Sequence, residues 1–141
     1  MDKYMEEAIR QSEMSTCLRR KVGAVVVKDD KIIAKGYNNQ VGGIRPCTEI
    51  GCIRDNYNLR HGERRELCRY ICAEQVIISE AARRGESLDG GIIYITSYPC
   101  SICAKMLISA GIKKIICGGE FEDELTKDFM KEVGIPIIKY N

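Results

Sequence analysis

GIIYITSYPCSICAKMLISAGIKKIICGG, residues 91–119, holds two β-branched runs with Pro99-Cys100-Ser101-Ile102-Cys103 and an apolar stretch between them. GIIYITS (91–97) is predicted to be a strand that Pro99 ends, and CSICAKMLISAG (100–111) a helix stopped by Gly111. KKIICGG (113–119) then predicts a second strand. Upstream, residues 72–84 read as a helix ending at Gly85; downstream, 122–133 read as a helix and IPIIKY (135–140) as a last strand. Nearer the N-terminus, VGAVVVKDDKIIAKGYN (22–38) sets β-branched runs on either side of Lys28-Asp29-Asp30-Lys31, a strong hairpin signal. Residues 4–18 spread Tyr4, Met5, Ala8, Ile9, Met14 and Leu18 among charges, the pattern of an amphipathic helix. The order α-β-β-α-β-α-β-α-β predicts an α/β fold with a mixed sheet layered between helices. Residues 39–70 have no clear period and contain Gly, Pro, Asn and many charges. Irregular stretches of that length are either functional or disordered.

The chain has 141 residues, so residues 1–141 are expected to form a single domain, which at this size buries about two-thirds of its unfolded surface. There are 22 basic and 20 acidic side chains, a formal net charge of +2, which gives no strong pull towards nucleic acid or an anionic membrane. Two Phe and no Trp argue against an aromatic platform for single-stranded nucleic acid. No apolar run approaches the roughly 20 residues that span a bilayer. MDKYMEEAIRQSE is charged and amphipathic rather than signal-like, so a cytoplasmic location is expected. Eight cysteines in such a chain point to metal ligation rather than disulfides.

Cys72-Ala73-Glu74 opens one predicted helix and Pro99-Cys100-Ser101-Ile102-Cys103 the next. Cys100 and Cys103 are three apart and share one side of a first helical turn. Helix N-termini carry partial positive charge and favour the thiolate form that binds metal. Three protein ligands, Cys72, Cys100 and Cys103, leave the fourth tetrahedral position of a zinc ion open for water, the mark of a catalytic site. Glu74 is expected to move protons on that water, as in the His/Cys-x-Glu and Pro-Cys-x-x-Cys pattern of zinc-dependent base deaminases. A redox pair at Cys100/Cys103 and a purely structural zinc are the alternatives. Three thiolates make the metal less electropositive than a set with a histidine, and a nearby cation such as Arg69 is expected to offset this.

The phrases STCLRRKVGAVVV, IIAKGYNN, GERRELCRYICAEQ and IIYITSYPCSICAKMLISAGIKKII span roughly residues 14–118. Through them the chain resembles the deoxycytidylate (dCMP) deaminase family of the cytidine/deoxycytidylate deaminase superfamily, competence-operon relatives included. The resemblance implies a cytidine deaminase-like three-layer α/β/α fold with a mixed five-stranded sheet. It implies zinc-dependent hydrolytic deamination of dCMP to dUMP, in the supply of dTTP. It also implies a homo-oligomer, in many members a hexamer, and control by dCTP and dTTP. Asn38 matches a position that contacts the nucleotide, and the backbone of Ala73 and Tyr98 matches positions that recognise the pyrimidine. Two positions depart from the family pattern: Cys72 stands where histidine is usual, and Val76 where asparagine is usual.

Of the remaining cysteines, Cys117 lies in an apolar strand and reads as core. By the resemblance, Cys17, Cys47 and Cys68 match ligand positions of a second, structural zinc present in some relatives, and Cys52 falls where a relative has histidine. A closed set of four cysteines suits structural zinc and could order residues 39–70. His61 in place of Cys52 is the alternative ligand. The basic run from Arg60 to Arg65, Lys21 and the Arg19/Arg20 pair are either solvated surface or contacts for a phosphate, whose oxygens suit guanidinium forks. Other readings are a deaminase of another free cytosine nucleotide or nucleoside, a polynucleotide deaminase and a non-catalytic zinc-binding module.

Overall fold

The computed structural model describes residues 2–60 and 63–140. Asp2 caps α1 (Lys3–Glu13), its side chain accepting from the Tyr4 backbone N–H. This helix stops short of the residue 18 expected from its apolar pattern. Ser12 Oγ donates to the Ile9 carbonyl, and the Met14 and Ser15 amides fold back onto Gln11 and Ser12, so the last turn tightens. Ser15 Oγ then donates to the Asn38 carbonyl, which leads the chain away towards the sheet.

β1 (Gly23–Lys28) and β2 (Lys31–Tyr37) form the expected hairpin. Asp29 and Asp30 both have positive φ, 52° and 59°, so they make a primed two-residue turn that suits the twist of the strands. The segment that lacks periodicity contains β3 (Asn39–Gln40), two single-turn helices α2 (Cys47–Ile50) and α3 (Ile53–Asn56), a 3-10 turn at Arg65–Leu67, and β4 (Tyr70–Ile71) paired with β3. Regular alternation then resumes with α4 (Ala73–Arg84), β5 (Ile92–Ile95), α5 (Ser101–Ser109), β6 (Lys114–Cys117), α6 (Glu124–Val133) and β7 (Ile137–Lys139). Gly85 closes α4 at φ 72°, a left-handed conformation that glycine adopts without penalty.

The main sheet runs β2-β1-β5-β6-β7. β1 is antiparallel to both β2 and β5, whereas β5, β6 and β7 are mutually parallel, so the expected mixed five-stranded sheet is present. Strand alternation divides the interior between two faces. Val25, Val27 and Tyr94 meet Met5 and Ala8 of α1 on one side. Ala24, Val26, Ile93, Ile95 and Ile115 meet Ile77, Leu107 and Met130 of α4, α5 and α6 on the other, and Cys117 is buried among them. Full burial of one such aliphatic side chain contributes roughly 1.5–3 kcal/mol.

Two close contacts fix helices to this framework. A Cβ on Gly23 would lie 2.1 Å from the Ala8 carbonyl oxygen, so α1 lies against β1 at the VGA phrase. Thr126 Oγ1, buried in the first turn of α6, donates to the Pro99 carbonyl at 3.0 Å and holds the turn that leads into α5.

Candidate active site

Cys72 is the N-cap of α4 and Cys100 that of α5, both extended residues at the mouth of a helix. The Cys72 amide donates to Gln75 Oε1 at 2.9 Å, and the Cys103 amide donates to Cys100 Sγ at 3.5 Å. Each helix start is thereby fixed by local bonds, and each directs its partial positive charge at the thiols. The three side chains of Cys72, Cys100 and Cys103 are in hydrogen-bonding contact with one another. Cys100 is the one held well below the usual thiol range, by the bonds it accepts from Cys103 and Cys72. Glu74, in the first turn of α4, is buried at 4% exposure. Burial pushes its carboxyl up to about 7, with the Cys100 charge adding to the rise.

Arg65, from the 3-10 turn, donates from Nη2 to Cys72 Sγ. Burial works against its charge, but Cys72, Cys100, Cys103 and Glu74 together raise it above the ordinary arginine range. The expected counter-cation is thus corrected from Arg69 to Arg65. Arg69 donates from Nε to the Arg45 carbonyl at 2.8 Å and lies near Cys47. The turn at residues 65–67 places Arg65 against Cys72 at the start of α4, whereas the Arg69 guanidinium is engaged by the Arg45 carbonyl.

Among the described residues, no group of three or more His, Cys, Asp or Glu side chains has the arrangement of a formed coordination shell. The donor chemistry and the contacts nonetheless fit a metal. Three mutually bonded thiols at two helix N-termini, with a buried carboxyl beside them, suit a thiophilic divalent ion such as zinc.

Arg65, Cys72, Glu74 and Cys100 line a cavity of about 950 Å³, counting the part open to solvent. Asn38, Ala73, Ser97 and Tyr98 line it as well. The Asn38 side chain accepts from the Val22 amide at 2.9 Å and donates to the Arg20 carbonyl at 2.9 Å, so its amide braces the pocket wall. Ala73 is fully buried. Tyr98 adjoins the pocket, and its buried hydroxyl has no partner among the described residues. Burial pushes that phenol up to about 12, with Cys117 and Glu122 adding to the rise.

Cys17, Cys47, Cys52 and Cys68 come together in the same cavity. Cys47 is buried, and its thiol is pushed up by burial and then by the charges of Cys52, Cys68 and Cys17. His61 lies outside the described residues.

Sequence reasoning did not identify Ser97 or Arg54, which also line the cavity, or the contact of Arg65 with Cys72. Ser97 could have been noticed from its place just before Tyr98-Pro99-Cys100. The two arginines sit in aperiodic chain and carry no local signal.

The family model described as the cytidine and deoxycytidylate deaminase zinc-binding region matches residues 1–119. A Schizosaccharomyces pombe protein named deoxycytidylate deaminase is 30% identical over 138 residues, covering 97% of this chain and 42% of that protein. ComE operon protein 2 of Bacillus subtilis is 32% identical over 135 residues, covering 95% of this chain and 67% of that protein. The chain therefore spans only about two-fifths of the length of the fission-yeast relative. Among solved structures, the dCMP deaminase of cyanophage S-TIM5 in complex with dCMP and dUMP superposes with a TM-score of 0.81 at 31% identity, covering 98% of this chain and 94% of that one.

Proposed function

The chain belongs to the cytidine and deoxycytidylate deaminase family, and from that premise we propose that it hydrolyses dCMP to dUMP and ammonia. The observation that carries the reading is the buried Glu74 carboxyl beside the thiols of Cys72, Cys100 and Cys103, with Cys72, Glu74 and Cys100 on the wall of one pocket. The cyanophage complex with dCMP and dUMP supports the choice of substrate.

Cys72, Cys100 and Cys103 would hold the ion as thiolates. Zinc bound there supplies a water acidic enough to lose a proton near neutral pH. Glu74 would accept a proton from the attacking water at a side-chain oxygen and give it to ring nitrogen N3 as the water oxygen bonds to C4. Glu74 would then take the remaining proton from the new C4 hydroxyl and pass it to the departing amine, so that the C4–N bond breaks, ammonia leaves and the C4 carbonyl of dUMP forms. The buried surroundings of Glu74 favour a carboxyl that exchanges protons near neutrality. Backbone groups of Ala73 and Tyr98 face the pyrimidine in this reading, and Asn38 supports the sugar end of the pocket.

A second zinc at Cys17, Cys47, Cys52 and Cys68 is part of the proposal, with His61 as the alternative to Cys52. The crowding of those four thiols supports it. The family resemblance adds self-association, in which exposed Ile102, Phe121 and Leu125 offer apolar contacts, and sensitivity to dCTP and dTTP. Sedimentation and nucleotide titration test these two. Among the described residues no helix is long and apolar enough to cross a membrane.

The deciding experiment assays purified protein against dCMP, dCTP, deoxycytidine and cytosine, with Glu74→Gln alongside. Turnover of dCMP that falls on the order of 10²-fold or more in Glu74→Gln supports the mechanism. Equal turnover by both proteins rejects it. A preference for deoxycytidine favours the nucleoside reading that Cys72 keeps open.

A further inference from the structure

One side chain ties together the two helices that bring the thiols into contact. Cys72 is extended, with φ −65° and ψ 155°, and its main-chain N–H donates to Gln75 Oε1 at 2.9 Å. The pair forms a capping box, in which the third residue of the helix folds back onto the cap. The other end of the same amide reaches the neighbouring helix: Gln75 Nε2 donates to Met106 Sδ at 3.9 Å. Met106 lies three residues beyond Cys103 on α5, on the same side of that helix. Gln75 therefore joins the cap of α4 to the helix that carries the other two thiols.

Neither Gln75 nor Met106 lines the cavity, so the bridge acts on the thiols and not on a molecule bound in the pocket. Both residues are half-buried. Cys72 is held at three points: Arg65 bonds its thiol, the Val76 amide its carbonyl, and Gln75 its N–H. The mouth of α5 has a brace of its own, since Thr126 Oγ1 donates to the Pro99 carbonyl and the Cys103 amide donates to Cys100 Sγ. A tetrahedral ion accepts thiolates from a narrow range of directions. Groups that orient metal ligands accordingly change metal affinity by about 10- to 100-fold when they are removed.

Resting on the zinc-dependent reading, we propose that Gln75 is a positioning residue that fixes the Cys72 main chain where its thiol meets Cys100 and Cys103, and so sets how tightly and in what geometry the metal is held. Met106 is the anchor of that amide on α5. A solely structural role, in which Gln75 only caps α4, predicts a less stable helix and an unaltered metal site.

Gln75→Leu, Gln75→Glu and Met106→Leu test this in the zinc-loaded and cobalt-substituted proteins. Leucine at 75 removes both bonds, glutamate keeps the acceptor for the Cys72 N–H, and leucine at 106 removes the sulfur while keeping the volume. Chelator competition should find zinc held roughly tenfold more weakly in Gln75→Leu. Gln75→Glu should recover part of that loss, and Met106→Leu should show a smaller one. The thiolate-to-cobalt absorption should shift in Gln75→Leu and return towards the native position in Gln75→Glu. A lower melting temperature with zinc retention and the cobalt spectrum both unmoved overturns the proposal, as does a native protein that takes up neither ion. If Gln75→Leu does not fold, Met106→Leu decides, and native retention and spectrum in that variant overturn the proposal. A native protein that holds zinc yet does not turn over dCMP would instead reject the reading of the reaction, while metal retention in the variants still judges Gln75.

Discussion

Arg65 Nη2 donates to Cys72 Sγ, so a cation from the irregular segment rests on the thiol that opens α4. Hydrogen bonds to charged groups contribute about 1.5–3 kcal/mol. Arg65→Ala is therefore expected to weaken zinc retention roughly 10- to 100-fold, as measured by chelator competition. In a Cys72→His background, with one negative ligand fewer, the same change should cost much less. Equal losses in the two backgrounds would show that Arg65 serves only as packing.

Cys47→Ser removes the buried member of the outer thiol set. Elemental analysis is expected to find two zinc ions per chain in the native protein and one in the variant. Limited proteolysis should then cut more readily within residues 41–60. One zinc in the native protein would rule out the outer metal.

Asn38 braces two main-chain groups with one side chain, accepting from Val22 and donating to Arg20. Asn38→Asp keeps the acceptor and loses the donation to the Arg20 carbonyl. Chemical denaturation should register a loss of about 0.5–1.5 kcal/mol. Because Arg20 also reaches Ser97 on the pocket wall, the KM for dCMP should rise in the same variant.

At Gly23, an added methyl meets the Ala8 carbonyl oxygen at 2.1 Å and the Ser12 amide nitrogen at 2.3 Å. Both are backbone atoms, so Gly23→Ala must displace α1 as a body. Overpacking of this kind costs about 1–3 kcal/mol, so calorimetry should find a melting temperature lower by on the order of 5–10 °C. An unchanged melting temperature would mean that α1 is not held against β1.

What could be read from the sequence was local. Cys72, Glu74, Cys100 and Cys103 announce themselves because each pair is set by the first turn of one helix, and Pro99 and Gly111 mark the limits of α5. The hairpin was equally legible, since Lys28-Asp29-Asp30-Lys31 contains the whole turn. The C-terminus of α1 was not, because Ser15, which leads the chain away from it, bonds to Asn38, far along the chain. Residues 39–70 hid the most. Their short elements are held by contacts rather than by a repeating apolar face, so neither Arg65 on Cys72 nor Arg54 in the pocket leaves a periodic trace.

The pairing of β1 with β5 has a consequence for how the protein is made. Ala24 lies opposite Ile95, about half the chain away, and most of the outer cysteines lie in the loop between them. Helices α4 and α5 can present Cys72 and Cys100 to each other only after this long-range closure, and non-local strand pairing is the slow kind of folding step. A nascent or locally opened chain therefore offers scattered thiols. During refolding, tight zinc uptake should follow sheet formation rather than precede it.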